Sequence, residues 1–469
     1  MHNPSVATLP LQVIVMAAGQ GKRMHSALPK VLHPLAGRPL VSHVLDNVRS
    51  LAPRAVCLVI GHGAESVRGA LAAPELTIVV QDPPRGTGDA VRVALAALPE
   101  TGVTVVANGD CPLVPASAFA AIAAMASRGS LALLTARVGD PSGLGRVIRD
   151  AGPDGRVRAI VEDRDASDDE RRRNEIYTGV LAAPTERLRR WVGALRDDNA
   201  QREFYLTGIV PMALAEGVPV EAHVTPSEVD ALGVNDRAQL AAIERILQRR
   251  KADELLRAGT WIADPERIDV RGTLACGRDV RIDVGCVFEG DVELGDGATV
   301  GPYCVLRDAR VGPGAAIAAF SHVDGAAVGA HARVGPYARL RPGAVLAEDV
   351  HIGNFVEVKA STIGRGSKAN HLAYIGDTTI GAGVNFGAGS ITANYDGANK
   401  HRTVIEDGAS IGSNCVLVAP VTVRSGATIG GGSTIAQDAP PDTLTVARAR
   451  QVSIAGWQRP VKKPKTEKG

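Results

Sequence analysis

The sequence predicts a two-domain protein, with an α/β domain containing a Rossmann-like, mostly parallel sheet, followed by a parallel β-helix built from hexapeptide repeats. Apolar strand segments alternate with helical patterns in the N-terminal half, and an aliphatic residue returns every six positions in the C-terminal half. The length of 469 residues also exceeds what a single core usually holds, about 250–300 residues.

The β-helix prediction depends on the six-residue period. Six suits neither an amphipathic helix, at about 3.6 residues per turn, nor strand alternation, at about 2. It suits a coil in which each hexad forms one short strand and one turn, so that three hexads close a triangle and stacked coils bury an aliphatic column. A β-sandwich with chance spacing is the alternative, and so many hexads in phase disfavour it. The column consists of Val328, Val334, Leu340, Leu346, Ile352 and Val358, and further on of Ile405, Ile411, Leu417, Val423, Ile429 and Ile435.

The N-terminal half shows the pattern of βαβ units. We expect strands at residues 13–18, 55–60, 75–81 and 103–107, and helices at 40–51 and 89–98. Parallel strands joined by helices bring their carboxyl ends to one edge of the sheet, where ligands bind in such folds. Polar clusters follow three of these strands, which predicts a ligand site at that edge.

Each polar cluster taken alone also fits an ordinary turn. The first, 19–23 with Lys30, lacks both the GxGxxG spacing of a dinucleotide site and the frame of a Walker loop, yet its glycines and cations suit phosphate. The second joins Gln81 to 86–90, a glycine-rich stretch that either lies against a planar base or caps a helix. The third, 108–113, places a carboxylate at a strand end, where it can hold Mg²⁺.

Composition narrows the class of protein. The net charge of +2 argues against a broad nucleic-acid footprint, and we expect the basic stretch 462–465 to be a solvated tail. The six cysteines form no metal-binding spacing and suit a reducing compartment. The apolar stretch 11–18 lacks a basic leader and is expected to be a strand, and no apolar run is long enough to span a bilayer. We therefore expect a soluble, cytoplasmic protein that binds neither nucleic acid nor membranes.

The three clusters together, in this order, resemble the sugar-phosphate nucleotidylyltransferases. Further motifs fit, including 143–147, 160–162 and 233–235. Within that group the sequence is similar to the bacterial bifunctional N-acetylglucosamine-1-phosphate uridylyltransferases / glucosamine-1-phosphate N-acetyltransferases, from about Val13 to Pro460. The resemblance implies a nucleotidylyltransferase domain at residues 1–237, a helical linker at 238–258 and a left-handed β-helix acetyltransferase domain at 259–469.

The resemblance implies a role for each matching residue of the first half. Arg23 and Lys30 would neutralise UTP in the transition state, and Asp110 and Asn235 would be the Mg²⁺ ligands. The nucleotide and sugar contacts would come from Met16, Ala17, Ala18, Gly19, Lys30, Gln81, Gly86, Thr87, Asn108, Gly109, Asp110, Gly145, Glu162, Tyr177 and Asn235.

In the second half the hexads break around residues 371–402, and a loop at 394–400 stands where a hexad should be. The resemblance implies that His371 is the general base and that Glu357 orients its ring. Amino-sugar phosphate would be bound by Arg341, Lys359, Tyr374 and Asn385. Acetyl-CoA would be bound by Asn394, Tyr395, Lys400, Ser413, Gly431 and Arg448, with Lys400 also suited to the sugar phosphate.

The sequence departs from the family pattern at three positions. Tyr177 stands where the family commonly has Asn, Gly208 where it has Asp, and Gly431 where it often has Ala. The first bears on sugar recognition, because a phenol is bulkier than an amide.

The function predicted from the resemblance is the synthesis of UDP-N-acetylglucosamine from glucosamine-1-phosphate, acetyl-CoA and UTP, by way of N-acetylglucosamine-1-phosphate, with Mg²⁺ as cofactor, in a homotrimer. Two alternatives stay open. One is a sugar nucleotidylyltransferase with a single activity and a regulatory β-helix. The other is a non-catalytic, translation-factor-type scaffold with the same folds.

Overall fold

A computed structural model describes residues 9–150, 155–199 and 201–460. The predicted basic tail at 462–465 lies outside these residues. The chain divides into two compact units between Lys251 and Ala252. Within the described residues, no helix combines the length and the apolar character that crossing a membrane requires.

The first unit contains eleven strands and seven α-helices among its described residues, together with most of an eighth α-helix, which continues into the second unit. The strands are β1 Leu11–Ala17, β2 Pro34–Leu35, β3 Arg38–Pro39, β4 Ala55–Ile60, β5 Leu76–Val80, β6 Val103–Asn108, β7 Leu131–Arg137, β8 Arg146–Arg149, β9 Val157–Val161, β10 Glu175–Pro184 and β11 Val220–Val224. The helices are α1 Leu40–Arg49, α2 Ala64–Leu71, α3 Thr87–Ala96, α4 Ala116–Ser127, α5 Asp168–Arg171, α6 Thr185–Ala194, α7 Ile209–Ala215 and α8 Arg237–Arg257.

The main sheet runs in the order β11-β7-β10-β6-β1-β4-β5. Strand β1 lies in its centre and is parallel to both β6 and β4, whereas β10 is antiparallel to β6 and β7. Apolar clusters cover both faces, as expected for a mostly parallel sheet. The predicted strands and helices of this half are confirmed, and the carboxyl ends of β1 and β6 meet at one edge.

Helix α8 links the two units. Leu240 and Ile243 are buried in an apolar cluster of the first unit, and Ala252 is buried in the core of the second. Gly259 ends the helical segment with φ +98°, and its N–H donates to the carbonyl of Leu256 at 3.1 Å.

The second unit is a stack of parallel strands that forms two continuous sheets. The 11-stranded sheet consists of Trp261–Ile262, Arg281–Ile282, Thr299–Val300, Ala316–Ile317, Arg333–Val334, His351–Asn354, Lys368–His371, Asn385–Phe386, Ser410–Ile411, Thr428–Ile429 and Leu444–Thr445. The 17-stranded sheet consists of Ile268–Cys276, Cys286–Leu294, Val305–Arg307, Arg310–Val311, His322–Asp324, Ala327–Val328, Arg339–Leu340, Val345–Leu346, Glu357–Lys359, Thr362–Ile363, Tyr374–Gly376, Thr378–Ile380, Ile391–Ala393, Thr403–Ile405, Val416–Val418, Val421–Val423 and Thr434–Ile435.

The predicted parallel β-helix is confirmed. Lys368 pairs with Asn385, 17 positions further on, and such pairings repeat up the stack. The predicted aliphatic column is buried throughout. One coil is longer, because Asn385 pairs with Ser410, 25 positions further on. The extra residues form the predicted loop at 394–400, which leaves the stack without interrupting it.

Candidate active sites

The first candidate site is a cleft at the carboxyl edge of the main sheet. It consists of two adjoining cavities of about 570 and 550 Å³, which share Met16, Thr87, Asn108 and Asp110 in their walls. The shared walls make the two cavities one continuous cleft, so one ligand could occupy both.

The middle of the cleft is fixed by contacts between the ends of β1 and β6. The N–H of Gly109 donates to the carbonyl of Met16 at 2.8 Å, so the chain turns and presents Asp110 to the cleft. The Lys30 ammonium donates to the Asp110 carboxylate. The N–H of Val234 donates to the carbonyl of Asp110 at 2.9 Å, which brings Asn235 to the same wall.

One end of the cleft is held by Gln81 and the glycine-rich turn before α3. The Gln81 amide donates to the carbonyl of Gly86 at 3.0 Å and to the buried Asp89 carboxylate at 2.9 Å. Gly86 adopts φ +105°, and a Cβ there would lie 2.8 Å from the carbonyl oxygen of Phe204. Glycine is therefore required at this turn, which leaves room for a flat group against it.

The other end of the cleft is formed by the β8–β9 ribbon and β10. Gly145 precedes β8 and Glu162 follows β9, and both face the cavity that Tyr177 lines. Burial raises the pKa of the Glu162 carboxyl, and the Thr207 hydroxyl donates to it at 3.3 Å. The N–H of Tyr177 donates to the carbonyl of Gly145 at 2.9 Å, which joins β10 to the ribbon.

A buried arginine holds this ribbon in place. The side chain of Arg146 is 2% exposed; it donates to the Asp163 carboxylate at 2.9 Å and to the carbonyl of Leu144. Because Leu144 and Asp163 adjoin Gly145 and Glu162, one guanidinium fixes both segments. The sequence analysis singled out the motif 143–147, but it did not predict that Arg146 holds the two segments together.

Two residues of the cleft suit a hard cation. Asp110 offers a carboxylate and Asn235 an amide oxygen, and both line the same cavity. Oxygen donors in small number fit Mg²⁺, which usually keeps several waters and takes substrate phosphates as further ligands. The described residues contain no cluster of three His, Cys, Asp or Glu side chains suited to a metal, so the protein itself would supply only a partial ligand set.

The cleft brings together most of the residues predicted for the first half. Ala17 and Gly109 are exceptions, because both are buried behind the wall and line neither cavity. Thr207 and Asp89, which bond Glu162 and Gln81, were not named as site residues, although Asp89 lies in the predicted polar cluster at 86–90. The residues that line one cavity or the other are Met16, Ala18, Gly19, Arg23, Lys30, Gln81, Gly86, Thr87, Asn108, Asp110, Gly145, Glu162, Tyr177 and Asn235.

The second candidate site lies along one corner of the β-helix. The N–H of Leu372 donates to the carbonyl of Asn354 at 3.0 Å, and the N–H of Gly389 donates to that of His371 at 3.3 Å. Higher up, the N–H of Gly432 donates to the carbonyl of Ser413 at 2.8 Å. Residues distant in sequence thereby stack into one column, which we call the His371 column: Asn354, His371, Ala388, Ser413 and Gly431.

The His371 ring has a partner that the sequence did not predict. Nδ1 of His371 lies 2.8 Å from Oδ1 of Asn354. Glu357, which was expected to orient this ring, instead accepts a hydrogen bond from Arg341 at 2.8 Å. Within one chain the ring is therefore held by an amide, and Glu357 holds a cation. The sequence signal for Asn354 is its position 17 residues before His371, one coil below.

Three cations converge on the neighbouring face. Arg341 and Lys359 lie near Lys400, and the ammonium of Lys359 lowers the pKa of Lys400. Lys359 also lies 3.5 Å from the carboxylate of Asp377. Three positive charges beside two carboxylates, those of Glu357 and Asp377, leave a net positive charge that is suited to a phosphate group.

The loop at 394–400 is anchored at both ends. The Asn394 amide donates to Asp377, and Tyr395 pairs with Lys400 across the loop. Asp396 accepts hydrogen bonds from the N–H groups of Ala398 and Asn399 at 2.8 and 2.7 Å and lies 2.6 Å from His401 Nε2. Hydrogen bonds within the loop therefore fix its conformation, and the loop presents Tyr395 and Lys400 to solvent.

The remaining predicted residues of the second half lie in three different places. Arg448 donates to the carbonyl of Gly431 at 2.7 Å and so extends the His371 column beyond Ser413. Asn385 lies opposite Lys368, at the other end of the strand that carries His371, so the chain does not bring it into the column. Tyr374 pairs with Glu357 on the face that carries the cations.

Comparisons with protein families match both units. A MobA-like NTP transferase domain matches residues 13–258. A GMPPB C-terminal domain matches residues 270–365, and six repeats of the bacterial transferase hexapeptide match residues 402–437.

Curated relatives match the chain over nearly its whole length. The bifunctional protein GlmU of Methylibium petroleiphilum is 58% identical over 460 residues, covering 97% of this chain and 100% of the relative. The proteins of the same name from Azoarcus sp. and Cupriavidus pinatubonensis are 56% and 54% identical, covering 96% and 97% of this chain and 100% of each relative.

Proposed function

This chain belongs to the GlmU family and is a bifunctional enzyme of UDP-N-acetylglucosamine synthesis, and we propose a division of the two reactions between its units. The β-helix, 259–469, acetylates glucosamine-1-phosphate with acetyl-CoA. The α/β domain, 1–237, then transfers UMP from UTP to N-acetylglucosamine-1-phosphate, and 238–258 links them. The grouping of the predicted nucleotide residues around one cleft is the observation that carries the proposal.

In the uridylyl transfer the protein mainly positions its substrates. The phosphate oxygen of the sugar attacks the α-phosphorus of UTP, a P–O bond forms, and pyrophosphate leaves in line. Gln81 and the flat turn at Gly86 receive the base, and Gly145, Glu162 and Tyr177 receive the sugar. Lys30 and Arg23 stabilise the charge that develops on the phosphate oxygens.

Asp110 and Asn235 would hold Mg²⁺ in this cleft. When bound, the ion neutralises phosphate charge and orients the triphosphate. Lys30 bonds Asp110, so the ammonium lies beside the position where phosphate charge would accumulate.

In the acetyl transfer His371 is the general base. With its Nδ1–H donating to Asn354, the imidazole keeps a lone pair on Nε2 for the proton of the sugar amine. The amine nitrogen forms a bond to the acetyl carbonyl carbon, the C–S bond of acetyl-CoA breaks, and the thiolate leaves and takes up a proton. Arg341, Lys359 and Lys400 hold the sugar phosphate, with Tyr374 and Asn385 at the sugar. Asn394, Tyr395, Ser413, Gly431 and Arg448 receive acetyl-CoA.

A homotrimer is the proposed assembly. Tyr303, Phe320, Tyr337 and Phe355 stack at centroid distances of 5.3, 5.0 and 5.5 Å. Each of these residues is about half exposed, at 47–56%, and Phe355 directly follows Asn354 in the sequence. Covering this row with a second copy would bury apolar surface beside the His371 column, and the neighbouring copy would then supply Asn385. The six free cysteines suit a reducing cytoplasm.

A single incubation tests the division of function. The protein with glucosamine-1-phosphate, acetyl-CoA, UTP and Mg²⁺ should yield UDP-N-acetylglucosamine by mass spectrometry. N-acetylglucosamine-1-phosphate without the nucleotide sugar would contradict the role of the cleft. Absence of both products would favour a scaffold role. A second incubation leaves out acetyl-CoA and supplies N-acetylglucosamine-1-phosphate directly. It should still yield the nucleotide sugar, because uridylyl transfer in the cleft does not need the reaction of the β-helix.

A further inference from the structure

The side-chain amide of Gln81 is held in one orientation by two acceptors. Its nitrogen donates to the carbonyl of Gly86 at 3.0 Å and to the carboxylate of Asp89 at 2.9 Å. Both partners accept hydrogen bonds and donate none, so the nitrogen of the amide, and not its oxygen, faces them. The two N–H groups of the amide are then both used, and its oxygen is left for another partner.

The amide oxygen of Gln81 remains open to the cleft. Gln81 lines the cavity of about 550 Å³, beside Gly19, Gly86 and Thr87. Among the described residues no N–H or O–H group donates to this oxygen, and protein atoms do not fully enclose it. A ligand in the cleft therefore meets a hydrogen-bond acceptor from this side chain and no free donor.

Asp89 is itself fixed in position behind the cleft wall. It lies in the first turn of α3, is 7% exposed and lines neither cavity. Its second carboxylate oxygen accepts from the guanidinium of Arg92, one turn further along the helix. That guanidinium lies over the ring of Phe204, 5.1 Å from its centroid. The carbonyl of Phe204 accepts from the N–H of Gly88 at 2.7 Å, so Phe204 is anchored to the same glycine-rich turn.

The polarity of the group that faces the cleft matters for a pyrimidine base. Uracil carries an N–H between its two carbonyl groups, and this N–H can donate to an amide oxygen. Cytosine carries an unprotonated nitrogen at the same ring position, and two acceptors that face each other repel. An amide that turned over would present its N–H groups and would suit cytosine instead. A site built to hydrogen-bond one group discriminates against the analogue that lacks it.

We infer that Asp89 is a positioning residue that sets the choice of pyrimidine: by accepting from the amide nitrogen of Gln81, it keeps the amide oxygen toward the cleft, so that a uridine nucleotide is admitted and a cytidine nucleotide is rejected. Asp89 acts through Gln81 and not by contact with the substrate. The inference rests on the proposed function, in which the cleft transfers UMP from UTP.

The variant Asp89→Asn keeps the size of the side chain and removes its charge. The new amide donates as well as accepts, so it no longer forces the amide of Gln81 into one orientation. With N-acetylglucosamine-1-phosphate as the second substrate, we expect the ratio of kcat/KM for UTP to kcat/KM for CTP to fall about 10-fold, the effect of one hydrogen bond. The KM for N-acetylglucosamine-1-phosphate should stay unchanged, because the sugar lies at the other end of the cleft.

Two comparisons separate this role from a structural one. Glu65→Gln removes an exposed carboxylate from the first turn of another helix, α2, and should leave the nucleotide ratio unchanged. The second comparison is Asp89→Asn in a Gln81→Ala background. If Asp89 acts through Gln81, the substitution should no longer change the ratio in that background, whereas a general effect on the glycine-rich turn would persist.

Two results would overturn the inference. The first is an unchanged ratio in Asp89→Asn, which includes equal losses with both nucleotides, since these would mean that Asp89 only supports the fold. The second is a change of equal size with and without Gln81. Failure of the original protein to make UDP-N-acetylglucosamine from UTP would instead refute the proposed function. In that case the affinities for UTP and CTP, measured by calorimetry without the sugar, still give the ratio for each variant.

Discussion

The Nδ1 atom of His371 lies 2.8 Å from the Oδ1 atom of Asn354, one coil below it in the β-helix. If Nδ1 carries the proton, the amide oxygen accepts a hydrogen bond from this N–H, and the ring's lone pair is on Nε2. Among the described residues, Nε2 has no hydrogen-bond partner, so it is free to take a proton from a substrate. This hydrogen bond between residues of two successive coils leads to the first two predictions.

Replacing His371 with alanine should reduce the kcat of acetyl transfer by at least about 100-fold, which is the scale of a general base. Uridylyl transfer should be unaffected, because its cleft lies in the other unit. Separate assays of the two reactions check this. His331→Ala, in a repeat without the motif, is the matched control. Loss of both activities in a folded His371 variant would contradict the assignment.

Asn354→Ala and Glu357→Gln should affect acetyl transfer in different ways. The first removes the acceptor for the imidazole, so we expect kcat to fall by about 10-fold or more, with KM little changed. The second releases Arg341 from its partner and should raise the KM for glucosamine-1-phosphate. Steady-state kinetics of both variants separates the effects. If Glu357→Gln lowered kcat while Asn354→Ala did not, Glu357 would be the residue that orients the ring.

Asp110→Ala should abolish uridylyl transfer and leave acetyl transfer intact. The change removes a carboxylate proposed to hold Mg²⁺ and leaves the Lys30 ammonium without its partner in the cleft. Pyrophosphate release measured against Mg²⁺ concentration is the assay. Asp46→Ala is the control, since Asp46 bonds Arg38 at 2.7 Å on the surface of the same unit. A variant that regains full rate at high Mg²⁺ would show that Asp110 only strengthens metal binding.

The loop at 394–400 should depend on the charge of Asp396. Hydrogen bonds from the Asn399 N–H and from His401 lower the pKa of Asp396 well below its ordinary value. A carboxyl with a lowered pKa stabilises the folded loop at pH values above the unfolded pKa of about 3.9, and this stabilisation is lost as the pH falls toward the lower folded value. Protection of the Ala398 and Asn399 amides against hydrogen exchange should therefore persist at pH 7 and decline below about pH 4.

Two variants test this dependence on charge. Asp396→Ala should remove the protection at every pH. It should also raise the KM for acetyl-CoA, because the hydrogen bonds that shape the loop carrying Tyr395 and Lys400 are lost. Asp407→Ala is the matched control: Asp407 accepts from the N–H of Ala382 at 2.7 Å elsewhere on the stack, and its loss should leave the loop amides protected. Protection that persists in Asp396→Ala would mean that the Tyr395–Lys400 pairing alone holds the loop.

The sequence by itself determined the two folds and most of the residues at the first cleft. The hexad period and the strand–helix alternation are local patterns, and each follows from which residues must face a core. Glycine, lysine and aspartate after strands indicated the cleft, because the ends of parallel strands share one edge. The position of Tyr177 in the family pattern was also visible in the sequence.

Only the tertiary structure decided how side chains pair across long separations. The bond between Asn354 and His371 depends on the exact step of one coil, and the ion pair of Glu357 with Arg341 depends on how neighbouring strands align. Likewise, the sequence contains Tyr177 but does not reveal that its buried hydroxyl has no hydrogen-bond partner among the described residues. Hydrogen bonds act over about 3 Å, and a pattern of residue types does not specify distances on that scale, so the partners of these groups emerge only once the chain is folded.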